Sequence, residues 1–139
     1  MFKKNTKEDL NRWAKSANRK YGHGREFWLD LISKQKSRCA LTKARLFFDL
    51  ASGTPQAGGP GCHPLYASVD HIHPGSGDKF QILCYDINDL KGHLPSMLFN
   101  ALKKTKEWKK FTTLWKKIAE KSPRDIQKFK SLIEEGALK

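Results

Sequence analysis

Residues 68–92 read SVDHIHPGSGDKFQILCYDINDLKG, and their order of signals decides the fold. The run Leu65 to Ile72 mixes apolar and polar side chains as a short, half-buried strand does, and Pro74-Gly75-Ser76-Gly77-Asp78 breaks it. A second short run from Phe80 to Tyr85 follows the break. From Asp86 onward Ile87, Leu90 and Leu94 recur at helical spacing, although Gly92 and Pro95 weaken its continuity. The centre of the chain therefore reads as two strands with a connecting loop, then a helix. Upstream, Cys39 to Leu50 reads as a short hairpin. Residues 51–64, ASGTPQAGGPGCHP, hold four glycines and three prolines, too many for a regular element, and read as a surface loop.

On both sides of this centre the periodicity changes to helical. Thr6 is placed to cap a segment whose Leu10, Trp13, Ala14, Ala17 and Tyr21 form one stripe, and Gly22 and Gly24 end it. Phe27, Trp28, Leu31 and Ile32 give a second amphipathic stretch, closed by the polar run Ser33 to Arg38. Downstream, Trp108, Phe111, Leu114, Trp115 and Ile118 form another stripe. Ser122-Pro123 then fits an N-cap followed by a first-turn proline, with Ile126, Phe129, Leu132 and Ile133 leading to Gly136. With one Val and fifteen Leu in the chain, little further sheet is expected. The predicted class is α+β and helix-rich: a small ββα core flanked by N- and C-terminal helices.

A length of 139 residues fits a single domain, residues 1–139. The charge is its outlying property: 27 Lys and Arg against 14 Asp and Glu leave +13. The excess lies in a basic arm over residues 1–36 and another over 100–139, whereas residues 37–99 are balanced at five of each sign. Such a distribution points to a polyanionic partner, nucleic acid first; charge does not tell DNA from RNA. No apolar stretch approaches the ~18 residues of a membrane span, and the start lacks an apolar secretory segment. The expectation is an intracellular, cytoplasmic protein of bacterial or phage origin with no membrane partner. Cys39, Cys62 and Cys84 are odd in number and widely spaced, so reduced thiols are the default.

Three of the five histidines, His71, His73 and His93, fall between Asp70 and His93, together with Asp78, Asp86 and Asp89. The basic arms contribute almost none of this chemistry. Adjacent side chains on a flat strand face opposite ways, so Asp70 and His71 reach one site only where the strand ends, twists or bulges. Helical spacing sets Asn88 and Lys91 on neighbouring positions of one face, an oxygen donor beside an ammonium. This is the outline of a phosphate and metal pocket.

The pieces SRCALT, SVDHIHP and QILCYDINDLKG occur in the order and at the separations of the HNH endonuclease family, and the stretch from Ser37 to Leu94 (module bounds 37–99) resembles its ββα-metal module. The resemblance implies that Asp70 and Asn88 ligate a divalent metal, that His71 is the general base, and that Lys91 is a phosphate contact. His73, Lys79 and His93 are further candidate phosphate contacts. The family's central Asn falls near Lys79, so the role of orienting the histidine is either unfilled or served by another residue such as Gln81. Oxygen ligands favour Mg²⁺ or Mn²⁺. Cys39 has Thr42, and Cys84 has Ile87, where paired zinc knuckles carry a second cysteine, which argues against a structural zinc. A mixed site of Cys39, Cys62, His63 and Cys84 is the remaining zinc arrangement.

A histidine near its reference pKa of ~6.5 takes a proton from water at neutral pH. The expected activity is thus metal-dependent hydrolysis of phosphodiester bonds in DNA, leaving a 5′ phosphate and abolished by chelator. The alternative is a non-cleaving basic nucleic-acid-binding protein with a degenerate HNH module. The oligomeric state is not fixed by the sequence, and a homodimer is compatible with cutting both strands.

Overall fold

The computed structural model describes residues 4–50, 63–72, 79–92, 94 and 96–121. Its elements follow in the order α1 (Lys7–Tyr21), α2 (Arg25–Lys34), β1 (Ala67–His71), β2 (Phe80–Cys84), α3 (Tyr85–Gly92), α4 (Ser96–Leu102) and α5 (Lys106–Lys121). The protein is α+β and rich in helix, with one antiparallel β1–β2 pair.

Thr6 starts α1 with a reciprocal capping box: its hydroxyl accepts from Asp9 N–H at 3.0 Å, and its own N–H donates to the Asp9 carboxylate at 3.1 Å. Gly22 and Gly24 end the helix in left-handed backbone, at φ 79° and 88°, which a side chain at either position would strain. The turn brings α2 back against α1, and the Trp28 indole seals it by donating to Gly22 O at 2.8 Å. The buried face of α1 is Trp13, Ala14 and Ala17, and Trp28 and Ile32 supply that of α2. These residues join Leu46, Phe48, Leu65, Ile82, Leu83 and Ile87 in one core. Each large side chain fully removed from water contributes roughly 1.5–3 kcal/mol. Lys7, Lys15, Arg19 and Lys20 stay on the exposed side of α1.

Residues 38–50 depart from the predicted hairpin. A single antiparallel bridge joins Arg38 to Arg45, around a tight turn in which Cys39 N–H donates to Ala44 O at 2.8 Å and Lys43 N–H to Cys39 O at 2.9 Å. The segment then leaves to pair Phe47 with Tyr66 in parallel, because the chain past Leu46 is recruited to the outer edge of β1. The strands are also shorter than their hydrophobic runs suggest. Tyr85 already belongs to α3, so β2 passes into the helix without an intervening loop. The short helix α4 was not foreseen; it buries Phe99 and leaves Met97 and Leu98 exposed. The Pro123–Gly136 helix and most of the 51–64 loop lie outside the described residues.

One side chain ties the sheet to the helical arm. The amide of Gln35, just past α2, accepts from Ile82 N–H and donates to Ile82 O, both at 2.9 Å, and donates also to Arg38 O at 2.8 Å. Removing it strands partly buried backbone groups in the middle of β2. Gln35→Ala is therefore expected to cost about 1–3 kcal/mol, measurable as a lower urea midpoint at unchanged m-value.

Candidate active site at the hairpin end

The register of the pair sets Asp70 opposite Gln81 and His71 opposite Phe80. Alternation then sends Ser68 and Asp70 to the face covered by α3, and His71 to the face covered by α1. The pairing stays regular through His71, where β1 ends, so the two neighbours stand on either side of the strand tip.

Asp70 is buried at 9% exposure. Its Oδ2 accepts from Lys91 Nζ at 2.5 Å and from Gln81 Nε2 at 2.9 Å. Lys91 Nζ also donates to His71 O at 3.2 Å. Lys91 is engaged with Asp70, its position one turn beyond Asn88 carrying the ammonium over the strand tip. Gln81 serves Asp70, its cross-strand partner, and does not orient His71. A carboxylate taken out of water needs such a counter-charge. Among the described residues Asp70 Oδ1 accepts no hydrogen bond.

Asn88 is fixed from the other side. Its amide nitrogen donates to Ser68 Oγ at 2.7 Å and to Val69 O at 3.1 Å. Val69 O can only accept, so the amide orientation is determined and Oδ1 is the atom left over. Asn88 lines a cavity of about 290 Å³ with Ser68, Tyr85, Asp89 and Gly92. Among the described residues two oxygens, one each from Asp70 and Asn88, thus accept no hydrogen bond on the α3 side of β1. That donor chemistry fits a hard divalent cation with open coordination positions. No group of three or more His, Cys, Asp or Glu side chains suited to a metal occurs among the described residues.

His71 is half-buried, and neither ring nitrogen has a hydrogen-bond partner among the described residues. Its ring is held by two others: Phe80, with centroids 4.8 Å apart, and Tyr21 at the end of α1, 5.9 Å away and nearly perpendicular. The basic arm therefore does contribute to the site. Sequence reasoning counted Tyr21 only as the last member of a core stripe; its place immediately before the glycine break was the available signal.

The other candidates are more peripheral. Lys79 is exposed at the hairpin mouth, its carbonyl accepting from Ile72 N–H at 3.0 Å. His73 and His93 lie outside the described residues, as do Asp78 and Cys62. His63 stacks on Phe47 at 4.4 Å, and burial pushes its pKa down against the pull of Asp49. Cys39 and Cys84 are buried together beside Thr42, whose hydroxyl lies 3.9 Å from Cys84 Sγ. The thiol of Cys84 hydrogen-bonds to Cys39, and with Thr42 it draws the Cys39 pKa down to about 6 against the cost of burial, while burial pushes Cys84 up. As pH rises through about 6, thiolate absorbance should appear at Cys39. Cys84→Ala removes the main donor and should move that midpoint upward; an unmoved midpoint would exclude Cys84 as its source.

Comparison with family models, curated proteins and solved structures returns no match.

Proposed function

We propose that the chain is a metal-dependent endonuclease of the HNH type, hydrolysing phosphodiester bonds in DNA. One observation carries the reading. At the tip of β1, the groups such chemistry requires, both imidazole nitrogens of His71 and one oxygen each of Asp70 and Asn88, have no protein partner among the described residues, while their other polar atoms are tied down.

In-line displacement at phosphorus puts the attacking water and the leaving oxygen on opposite sides. A base and a cation serving those two oxygens must therefore flank the phosphate and not coincide. Asp70 and His71 lie on opposite faces of the strand, so they would serve one phosphate only at its tip, where β1 ends. His71 takes the proton of the water on the α1 side. Asp70 and Asn88 would hold Mg²⁺ or Mn²⁺ on the α3 side, where the cation supplies Lewis-acid relief of charge on the leaving oxygen. Lys91 and Gln81 hold the Asp70 carboxylate in place through Oδ2. Exposed lysines of α1 and α5, among them Lys15, Lys20, Lys109 and Lys117, supply affinity through phosphate contacts without base specificity.

Supercoiled plasmid with purified protein tests the proposal: nicking that needs Mg²⁺ or Mn²⁺, stops with chelator and leaves 5′ phosphate supports it. The pairing of Lys91 with Asp70 favours a second reading, a basic nucleic-acid-binding protein in which the ammonium has replaced the cation. Salt-sensitive gel shifts without metal-dependent scission at any salt concentration would select it.

No helix among the described residues is long and apolar enough to cross a membrane. Cytoplasmic residence and action as a monomer or a homodimer belong to the proposal, with fractionation and light scattering as their tests.

A further inference from the structure

Among the described residues the His71 ring is contacted by other rings and not by hydrogen bonds, and those rings come partly from the N-terminal arm. The Trp13 indole donates to Ala67 O at 3.1 Å, pinning α1 to the first residue of β1. From that pin, Tyr21 is eight residues along a helix, about 12 Å at 1.5 Å per residue. His71 is four residues along a strand, about 13 Å at 3.3 Å per residue. The two advances agree, so the helix stripe Trp13, Ala17, Tyr21 runs beside the strand face Ala67, Val69, His71. Most of these residues line one shared cavity of about 140 Å³. Tyr21, His71 and Phe80 then close a triangle of ring contacts, the third side being Tyr21–Phe80 at 5.9 Å. Trp28 backs it, 5.1 Å from Phe80 and 6.0 Å from Tyr21.

We infer that Tyr21, edge-on, and Phe80, tilted, are positioning residues that hold the His71 ring against them, making α1 part of the catalytic unit and not only a basic arm. Among the described residues the clamp leaves both imidazole nitrogens without a partner, one for water and one for solvent or phosphate. A base positioned by a hydrogen bond would have given up one of them. Aromatic pairs of this geometry fix a ring's plane and place as well as burying it. The inference rests on the nuclease reading only for its kinetic consequence; the ordering of the ring is a property of the protein alone.

The experiment uses the full chain with ¹³C-labelled histidine, the His71 signals assigned by their loss in His71→Gln. Ring relaxation and NOEs of His71 to Tyr21 and Phe80 are measured beside plasmid nicking at saturating DNA. The wild type should show a rigid His71 ring with both sets of NOEs. Tyr21→Leu should loosen the ring and lower kcat about 10²-fold, the scale of an ångström-sized misplacement, with KM and gel-shift affinity unchanged. Tyr21→Phe, which keeps the ring, should restore both. A mobile His71 ring in the wild type overturns the clamp whether or not any variant folds. A folded Tyr21→Leu variant with wild-type ring order also overturns it. Absence of metal-dependent nicking by the wild type overturns the nuclease reading, and the relaxation data still decide the clamp.

Discussion

Replacing Lys91 by Met should destabilise the protein by about 3–5 kcal/mol, since it leaves the buried Asp70 carboxylate without its counter-charge. For a chain of this size the loss corresponds to a fall in Tm of roughly 10–17 °C. The pair lies deep enough for the full effect, with side-chain exposures of 15% for Lys91 and 10% for Asp70. Gln81 remains as the one donor to Asp70 Oδ2 and cannot neutralise it. The same variant probes the cation site. With the ammonium gone, Mn²⁺ has no competitor at Asp70, so thermal scans with and without Mn²⁺ should show a larger rise in Tm for Lys91→Met than for the wild type. A ligand present at a hundred times its Kd adds about 2.7 kcal/mol. An equal response in both proteins would mean that Asp70 does not take the ion, and an unchanged Tm without metal would mean that the pair is not holding the strand tip.

His71→Ala should reduce nicking roughly 10²–10⁴-fold, the usual contribution of a positioned general base, while leaving gel-shift affinity intact. Affinity survives because the cations expected to meet phosphate are spread along α1 and α5 and act mainly through counterion release. The imidazole is half-buried and forms no hydrogen bond among the described residues, so its removal should shift Tm far less than Lys91→Met does. Retention of nicking in His71→Ala would remove this residue from the chemistry and with it the assignment of the two sides of the phosphate.

The ββα order was legible because Pro74 to Asp78 separates two short apolar runs and helical spacing begins beyond Asp86. The capped start and glycine-broken end of α1 were legible for a similar reason, since Thr6, Gly22 and Gly24 act through local backbone chemistry. Less visible was α4, whose seven residues are too few for a periodic signal and follow a proline that seemed only to end α3. The hairpin expected over residues 39–50 failed because Phe47 finds its partner, Tyr66, far along the chain. Candidate site residues could be named from their types and order, but not their partners. Whether Lys91 faces a phosphate or Asp70 depends on the crossing of α3 over β1. Likewise, the approach of Tyr21 to His71 depends on the Trp13–Ala67 pin, fifty-four residues apart in sequence.

The Gln35 amide has a consequence for how copies of this chain behave together. A two-stranded sheet presents two open borders, each a template for strand addition and for the stacking that leads to fibrils. On β2 the middle residue, Ile82, already has both its outward N–H and C=O occupied by a side chain from α2's end. On β1 the border is covered at Ala67 by Phe47 O and the Trp13 indole. Were the chain to gather along a polyanion, as proposed, these two blocked borders would disfavour strand addition between its copies.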